Sequence, residues 1–177
     1  YWVTAEVEKS WHDRAARGDY GDSSQFSYFT QYNPEHFILA NYPIDVATLG
    51  AGGATPGRGQ INPSTAGVSF AANTTNLIRL GNLGYLNHRV TITNASGTKM
   101  PFDLVATDGK PMKDRNGALS PILGQTSVEY APGERYDLLI KFATPGTYTA
   151  TIEFLDPATK LLTAGGKGKL TQTITVQ

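Results

Sequence analysis

The sequence predicts an all-β fold, a sandwich or barrel of short strands. Three observations carry this prediction. Apolar and polar residues alternate with a period of two in run after run, turn-forming residues separate the runs, and no long stretch shows the apolar spacing of a helix. The first run sets Tyr1, Val3, Ala5 and Val7 on one face and Trp2, Thr4, Glu6 and Glu8 on the other, and reads as an opening strand reaching Trp11. Arg14 to Arg17 are expected to form a short turn at most. A short apolar run, Phe37-Ile38-Leu39-Ala40, is the next strand signal. His88, Val90 and Ile92 then share one face of a strand. The alternation returns over Tyr136 to Phe142, Tyr148 to Phe154 and Leu170 to Val176. Between these runs stand Asn94-Ala95-Ser96-Gly97, Asp108-Gly109, Pro132-Gly133 and Pro145-Gly146, all with turn chemistry. Two long stretches, 13–35 and 45–66, do not fit a compact meander and are expected to be ordered packing loops against neighbouring domains.

Composition bounds the function. The 177 residues suit one domain, 1–177, with a core of adequate size. Fifteen Lys+Arg balance fifteen Asp+Glu, and no basic stripe is interleaved with aromatics, so no nucleic-acid partner is expected. No apolar run approaches a membrane span. The chain opens directly in a strand pattern rather than a signal peptide, as expected of a segment cut from inside a longer chain or of a mature product. There is no Cys, which removes disulfides and thiolate metal sites alike.

No catalytic residue is expected. The serines lie outside any Gly-x-Ser-x-Gly elbow, and only three histidines exist to act as a base. These are His12, His36 and His88, with no His-x-His or His-x-x-x-His pair, so a metal site would have to be assembled entirely by the fold. They are weak metal candidates. His12 fits a solvated strand end, His36 a loop or interface, and His88 a core position with both ring nitrogens hydrogen-bonded. A blue-copper centre needs two His and a Cys, with a weak axial ligand such as Met. Met100 and Met112 are present, but the thiolate is missing. In Ala131-Pro132-Gly133-Glu134-Arg135-Tyr136-Asp137 the Pro-Gly pair suits a type II turn, and Arg135 and Asp137 are spaced for one face of the next strand. Their expected work is structural, in ion pairs.

The segment from Asn76 to Phe142 resembles the middle, second domain of three-domain multicopper oxidases of the laccase-like family. The ordered pieces are Leu77-Ile78-Arg79-Leu80-Gly81-Asn82, then His88 to Thr93, then Val105-Ala106-Thr107-Asp108-Gly109, then Ala131 to Asp137. The earlier strand departs from the family pattern, with Ala40-Asn41-Tyr42-Pro43 where Asn-Gly stands in the family. The resemblance implies a Greek-key, cupredoxin-like (plastocyanin-like) sandwich with two long loops. It implies a parent oxidoreductase, periplasmic or extracellular, that oxidises a substrate and reduces dioxygen to water. Copper lies in the parent's other domains. No cofactor is expected in this one, whose partners are the flanking cupredoxin domains of the same chain. The scaffold residues it points to are Arg79, Asn82, Asp108, Gly109, Pro132, Gly133, Arg135 and Asp137.

Two other functions fit the residues. One is a stand-alone binding module for carbohydrate or protein, its ligand stacked on Tyr20, Phe26, Tyr28, Phe29 and Tyr32. The other is a weak metal site built from the three histidines.

Overall fold

The computed structural model describes residues 1–18, 32, 34, 36–41, 60–61 and 68–177. In chain order the elements are β1 (Trp2–Val7), α1 (Lys9–Ala16), β2 (His36–Asn41), β3 (Gln60–Ile61), β4 (Val68–Phe70), β5 (Thr75–Asn82), β6 (Asn87–Asn94) and β7 (Phe102–Thr107). There follow β8 (Lys110–Pro111), β9 (Ile122–Gln125), β10 (Val128–Tyr130), β11 (Arg135–Lys141), β12 (Gly146–Leu155), a helical turn α2 (Thr163–Gly166) and β13 (Lys169–Val176). Two sheets pack face to face. The larger runs β3-β2-β1-β5-β11-β7-β8, with β9 also on β7, and the smaller runs β10-β6-β12-β13-β4. The chain changes sheet at β4, β5, β6, β7, β10, β11 and β12, which gives the Greek-key sandwich.

The core follows from the alternation. Ile78, Leu80, Leu138 and Ile140 point inward from the larger sheet, and Val90, Ile92, Ala150, Ile152, Phe154, Leu170 and Ile174 from the smaller. Phe37 meets Phe154 across the gap, ring centroids 4.7 Å apart. The turns take the backbone their residues favour. Asp108 and Gly109 both have positive φ (49° and 77°), so the β7–β8 hairpin closes on a two-residue turn that Asp-Gly tolerates better than other pairs. Asn94 does the same work with its side chain, its Oδ1 accepting bonds from Ser96 N and Thr98 N at 3.1 and 2.8 Å.

Three expectations need correction. First, residues 9–16 form a helix where only a short turn at 14–17 was expected. Its sequence, KSWHDRAA, has Trp11 as its one large apolar side chain, so no apolar stripe announces it. A Lys9–Asp13 ion pair one turn apart supports it. Second, β1 therefore stops at Val7, not Trp11. Third, the second long stretch contains the short strand β3, parallel to β2. The buried face of β1 is not the aliphatic one: Trp2, Thr4 and Glu6 are buried, while Val3, Ala5 and Val7 are half-buried on the outer face. A Thr and a Glu have displaced three aliphatic residues from the core, and the reason is the site below.

Candidate functional site

β1 of the larger sheet and β6 of the smaller face each other across one end of the sandwich. The inward alternation of β1 delivers Thr4 and Glu6, and the first inward residue of β6 is His88. His88 Nε2 lies 2.7 Å from Glu6 Oε2, and His88 Nδ1 lies 2.6 Å from Thr4 Oγ1. Thr4 Oγ1 is also 3.0 Å from the Tyr130 hydroxyl and 3.2 Å from the Gly81 carbonyl. A carboxylate only accepts, so the bonding pattern assigns the Nε2 proton to the bond with Glu6. Thr4 Oγ1 carries one proton, which serves either Nδ1 or the Gly81 carbonyl, and it accepts from the Tyr130 hydroxyl.

The other Glu6 oxygen, Oε1, accepts from the backbone N–H groups of Tyr85 and Leu86 at 2.5 and 2.9 Å. The β5–β6 connection thus wraps the carboxylate. It is held in place by Leu83 N donating to the Thr4 carbonyl at 2.8 Å. Gly84 makes the wrap sterically feasible: a Cβ there would sit 2.0 Å from Glu6 Oε2. Asn82 fixes the start of the loop. Its Oδ1 accepts from Gly84 N at 2.8 Å, and its Nδ2 donates to the carbonyls of Leu86 (2.8 Å) and Tyr130 (3.2 Å). Burial pushes the Tyr130 hydroxyl pKa well above its ordinary value; its bond to Thr4 opposes the shift and the Glu6 charge adds to it.

Hydroxyl, imidazole and carboxylate stand here in the order of a hydrolase triad. The resemblance ends at access. Thr4 and His88 are 0% exposed, and every polar atom of the trio already has a partner inside the protein. A substrate has no route to the hydroxyl, so the arrangement holds two sheets and a loop together and does no acyl chemistry.

Of the three metal candidates, the fold commits His88 to this core. His12 is exposed on α1, and His36 begins β2, paired with Val7. Among the described residues no group of three His, Asp or Glu could hold a metal ion. The residues do not fit a blue-copper centre: there is no Cys, and both ring nitrogens of His88 in the core are occupied by hydrogen bonds.

The remaining scaffold residues cluster on the outer face of the larger sheet, around a shallow groove of ≈ 360 Å³ lined by Tyr1, Arg79, Asp108, Gly109, Arg135 and Asp137. Arg79 and Asp137 are cross-strand partners with Nε and Oδ2 3.3 Å apart. The Arg79 guanidinium also donates to the Tyr1 hydroxyl at 2.8 Å, and its centre lies 5.4 Å from that ring's centroid. Arg135 Nε is 3.6 Å from Asp108 Oδ1, both side chains more than half exposed, so this pair contributes at most about 1 kcal/mol. Pro132 and Gly133 form the turn into β11, closed by Glu134 N donating to Ala131 O at 3.0 Å, with Gly133 at φ 82°.

Sequence reasoning missed Thr4, Glu6, Tyr130 and Gly84. A carboxylate in phase with Trp2 rather than with the aliphatics was the available signal. It also missed a small cleft beside Glu6, where Trp11, Tyr32 and Tyr85 meet. Of the aromatic-loop candidates, Tyr20, Phe26, Tyr28 and Phe29 lie outside the described residues. Tyr32 packs on Trp11 and Tyr85, with centroids 4.9 and 5.6 Å away.

No protein-family profile matches the chain, and no curated protein matches it by sequence. Solved structures do match it. The chain aligns with part of a blue copper oxidase from Nitrosomonas europaea at 16% identity and TM-score 0.56, covering 99% of this chain and 42% of that one. It aligns with Fet3p, a multicopper oxidase that functions in iron import, at 14% identity and TM-score 0.57, over 98% of this chain and 27% of that one. It aligns with the multicopper oxidase mgLAC at 18% identity and TM-score 0.55, over 99% and 43%. The chain spans less than half the length of each. At these identities the likeness is one of architecture, and it extends over nearly the whole chain: the fold is the cupredoxin-like β-sandwich that forms part of multicopper oxidases.

Proposed function

We propose that residues 1–177 are a single, copper-free structural domain of a multicopper oxidase, of the kind that stands between two copper-bearing cupredoxin domains. On this reading the parent enzyme is periplasmic or extracellular, oxidises a substrate and reduces dioxygen to water. The copper resides in the flanking domains, which are this domain's partners. Arg79, Asn82, Asp108, Gly109, Pro132, Gly133, Arg135 and Asp137 act as scaffold.

One observation carries the proposal. The chain matches part of longer copper oxidases along nearly its whole length, yet it has no Cys and its core histidine His88 is engaged by Glu6 and Thr4.

The test is copper binding by the purified chain, followed by metal analysis and visible absorption after addition of Cu(II). The expected result is no stoichiometric copper and no blue band, with a thermal midpoint unchanged by a chelator. Tight one-to-one copper would overturn the proposal and direct attention to His12 and His36.

A further inference from the structure

Two tripeptides of the chain have the pattern Asn-x-Ser/Thr with a residue other than Pro in the middle: Asn73-Thr74-Thr75 and Asn94-Ala95-Ser96. Neither has a part in the function proposed above. Both lie at one pole of the sandwich, Asn73 just before β5 and Asn94 at the end of β6. Glu6 is at the other pole, wrapped by the connection that leaves β5 and enters β6. We propose that Asn73 is an acceptor site for an N-linked glycan. The inference rests on the extracellular form of the reading above, since such glycans are added in the lumen of the secretory route.

The tripeptide pattern is common, and the local structure selects between the two. Asn73, Thr74 and Thr75 are all exposed. Asn73 stands in the turn before β5 at φ 57°, a left-handed conformation that Asn adopts more readily than most residues. Other atoms hold this turn. Asn73 N donates to the Phe142 carbonyl at 2.8 Å, and Ala72 N to the Gln177 carbonyl at 2.7 Å. The Thr74 hydroxyl and the Asn76 amide both donate to the Ala71 carbonyl, at 2.9 and 3.3 Å. Among the described residues, no hydrogen bond or ion pair uses the Asn73 carboxamide or the Thr75 hydroxyl. The two groups that the transfer requires are therefore open to solvent on a fixed backbone.

Asn94 is the opposite case. It is half-buried, and its Oδ1 accepts from Ser96 N, the Ser96 hydroxyl and Thr98 N at 3.1, 2.8 and 2.8 Å. The hydroxyl at the third position is thus engaged with the acceptor's own side chain, and presenting Asn94 to an enzyme breaks the turn after β6. A glycan is bulky and water-seeking, so it belongs where no packing is lost. At Asn73 it displaces nothing in the core, and the length of β5, roughly 23 Å, separates it from the loop around Glu6.

The transfer balances without an oxidant or reductant. The donor is a lipid-linked oligosaccharide diphosphate and the catalyst a membrane oligosaccharyltransferase. Asn73 Nδ2 attacks the anomeric carbon of the donor's first sugar. The bond from that carbon to the diphosphate oxygen breaks, the lipid diphosphate leaves with the electron pair, and Nδ2 gives up one proton to the enzyme. The product side chain keeps its Oδ1 and one N–H and carries no charge.

The experiment expresses the full chain behind a cleavable secretion signal in a eukaryotic cell line. Chain from the medium and from the lysate is digested with peptide N-glycosidase in heavy-oxygen water, which converts each glycosylated Asn to a labelled Asp. The expected result is a single step in gel mobility on digestion, with the label at position 73 in most of the chain and at position 94 in a minor fraction or none. Thr75→Ala should abolish the step. It leaves Asn73 and its turn in place, so loss of the glycan is not loss of the fold. Asn73→Gln should abolish the step too, and Ser96→Ala should leave it. A chain whose signal has been removed but which shows no step would overturn the proposal. So would a label confined to position 94, or a step that persists in Thr75→Ala. Copper uptake would instead overturn the reading of the domain as copper-free and leave the glycan standing, so the two failures are told apart.

Discussion

Replacing Glu6 separates a supporting hydrogen-bond acceptor from a merely buried side chain. In Glu6→Ala three buried donors lose their acceptor: Tyr85 N–H, Leu86 N–H and the His88 Nε2 proton. An unsatisfied buried donor costs about 1–3 kcal/mol, so three cost about 3–9 kcal/mol. Glu6 also lines a cleft, so water can reach part of the gap, and the expected loss is at the lower end of the summed range, about 3–5 kcal/mol. For a chain of this length that lowers Tm by roughly 6–20 °C. Glu6→Gln behaves differently. Its amide oxygen still accepts the two backbone N–H groups, and its NH₂ donates to His88 Nε2 if the imidazole proton moves to Nδ1. Nδ1–H then donates to Thr4 Oγ1, and Thr4 donates to the Gly81 carbonyl, already 3.2 Å away. Every group is satisfied again, so the cost should be about 1 kcal/mol. Urea unfolding of the three chains, read at constant m, measures both differences. Equal losses for Ala and Gln would refute the claim that hydrogen bonding, rather than charge, holds the loop.

Two further changes probe the same logic. Gly84→Ala puts a Cβ 2.0 Å from a buried carboxylate oxygen that cannot retreat, and should cost about 3 kcal/mol in urea unfolding, with changed amide shifts over 83–86. Acid stability depends on two surface carboxylates. Asp156 is held below its ordinary pKa of 3.8 by the Thr159 N–H and hydroxyl, and Glu129 below 4.5 by Lys160 and Asn87. A carboxyl whose folded pKa is depressed adds stability above its unfolded pKa and loses it as pH falls through the folded value. Both groups lie at the solvent-screened surface, so the effect is a few tenths of a kcal/mol each. Asp156→Asn keeps the turn but does not titrate, and should show a shallower fall in urea midpoint between about pH 5 and pH 2 than the parent.

The sandwich was legible because its strands obey the simplest rule available. In β6, β12 and β13 the inward residues are apolar or a single tolerated polar group, and alternation alone places them. The turns were legible because Asp108-Gly109 and Pro132-Gly133 have few other conformations to adopt. α1 was hidden because its support comes from a Lys9–Asp13 pair and one tryptophan rather than an apolar stripe. The site was hidden for a different reason. Thr4, Glu6, His88 and Tyr130 are up to 126 positions apart in sequence, and nothing local in any of them announces the others. His88 could be placed in the core with its nitrogens bonded, but not joined to a glutamate 82 positions away.

The polar inward face of β1 suggests what the network is for. By hydrophobicity alone, a one-residue shift of β1 against β2 and β5 is attractive, since it would bring Val3, Ala5 and Val7 inside and put Thr4 and Glu6 in water. The shift would also expose Trp2 and leave His88, Tyr130 and the N–H groups of Tyr85 and Leu86 buried without partners. Several unsatisfied groups at about 1–3 kcal/mol each outweigh the aliphatic gain, so the polar residues select the register. Removing both halves of the pair, as Glu6→Val with His88→Leu, deletes most of that penalty and makes the inward face of β1 less distinctive. If the gap between registers falls below about 2.7 kcal/mol, the shifted form exceeds about 1% of the population. Chemical-exchange NMR on the amides of Trp2 to Val7 detects a minor state at that level. A double variant that loses stability but shows one rigid β1 register, indistinguishable from the parent, would mean that pairing with β2 and β5 and the burial of Trp2 set the register by themselves.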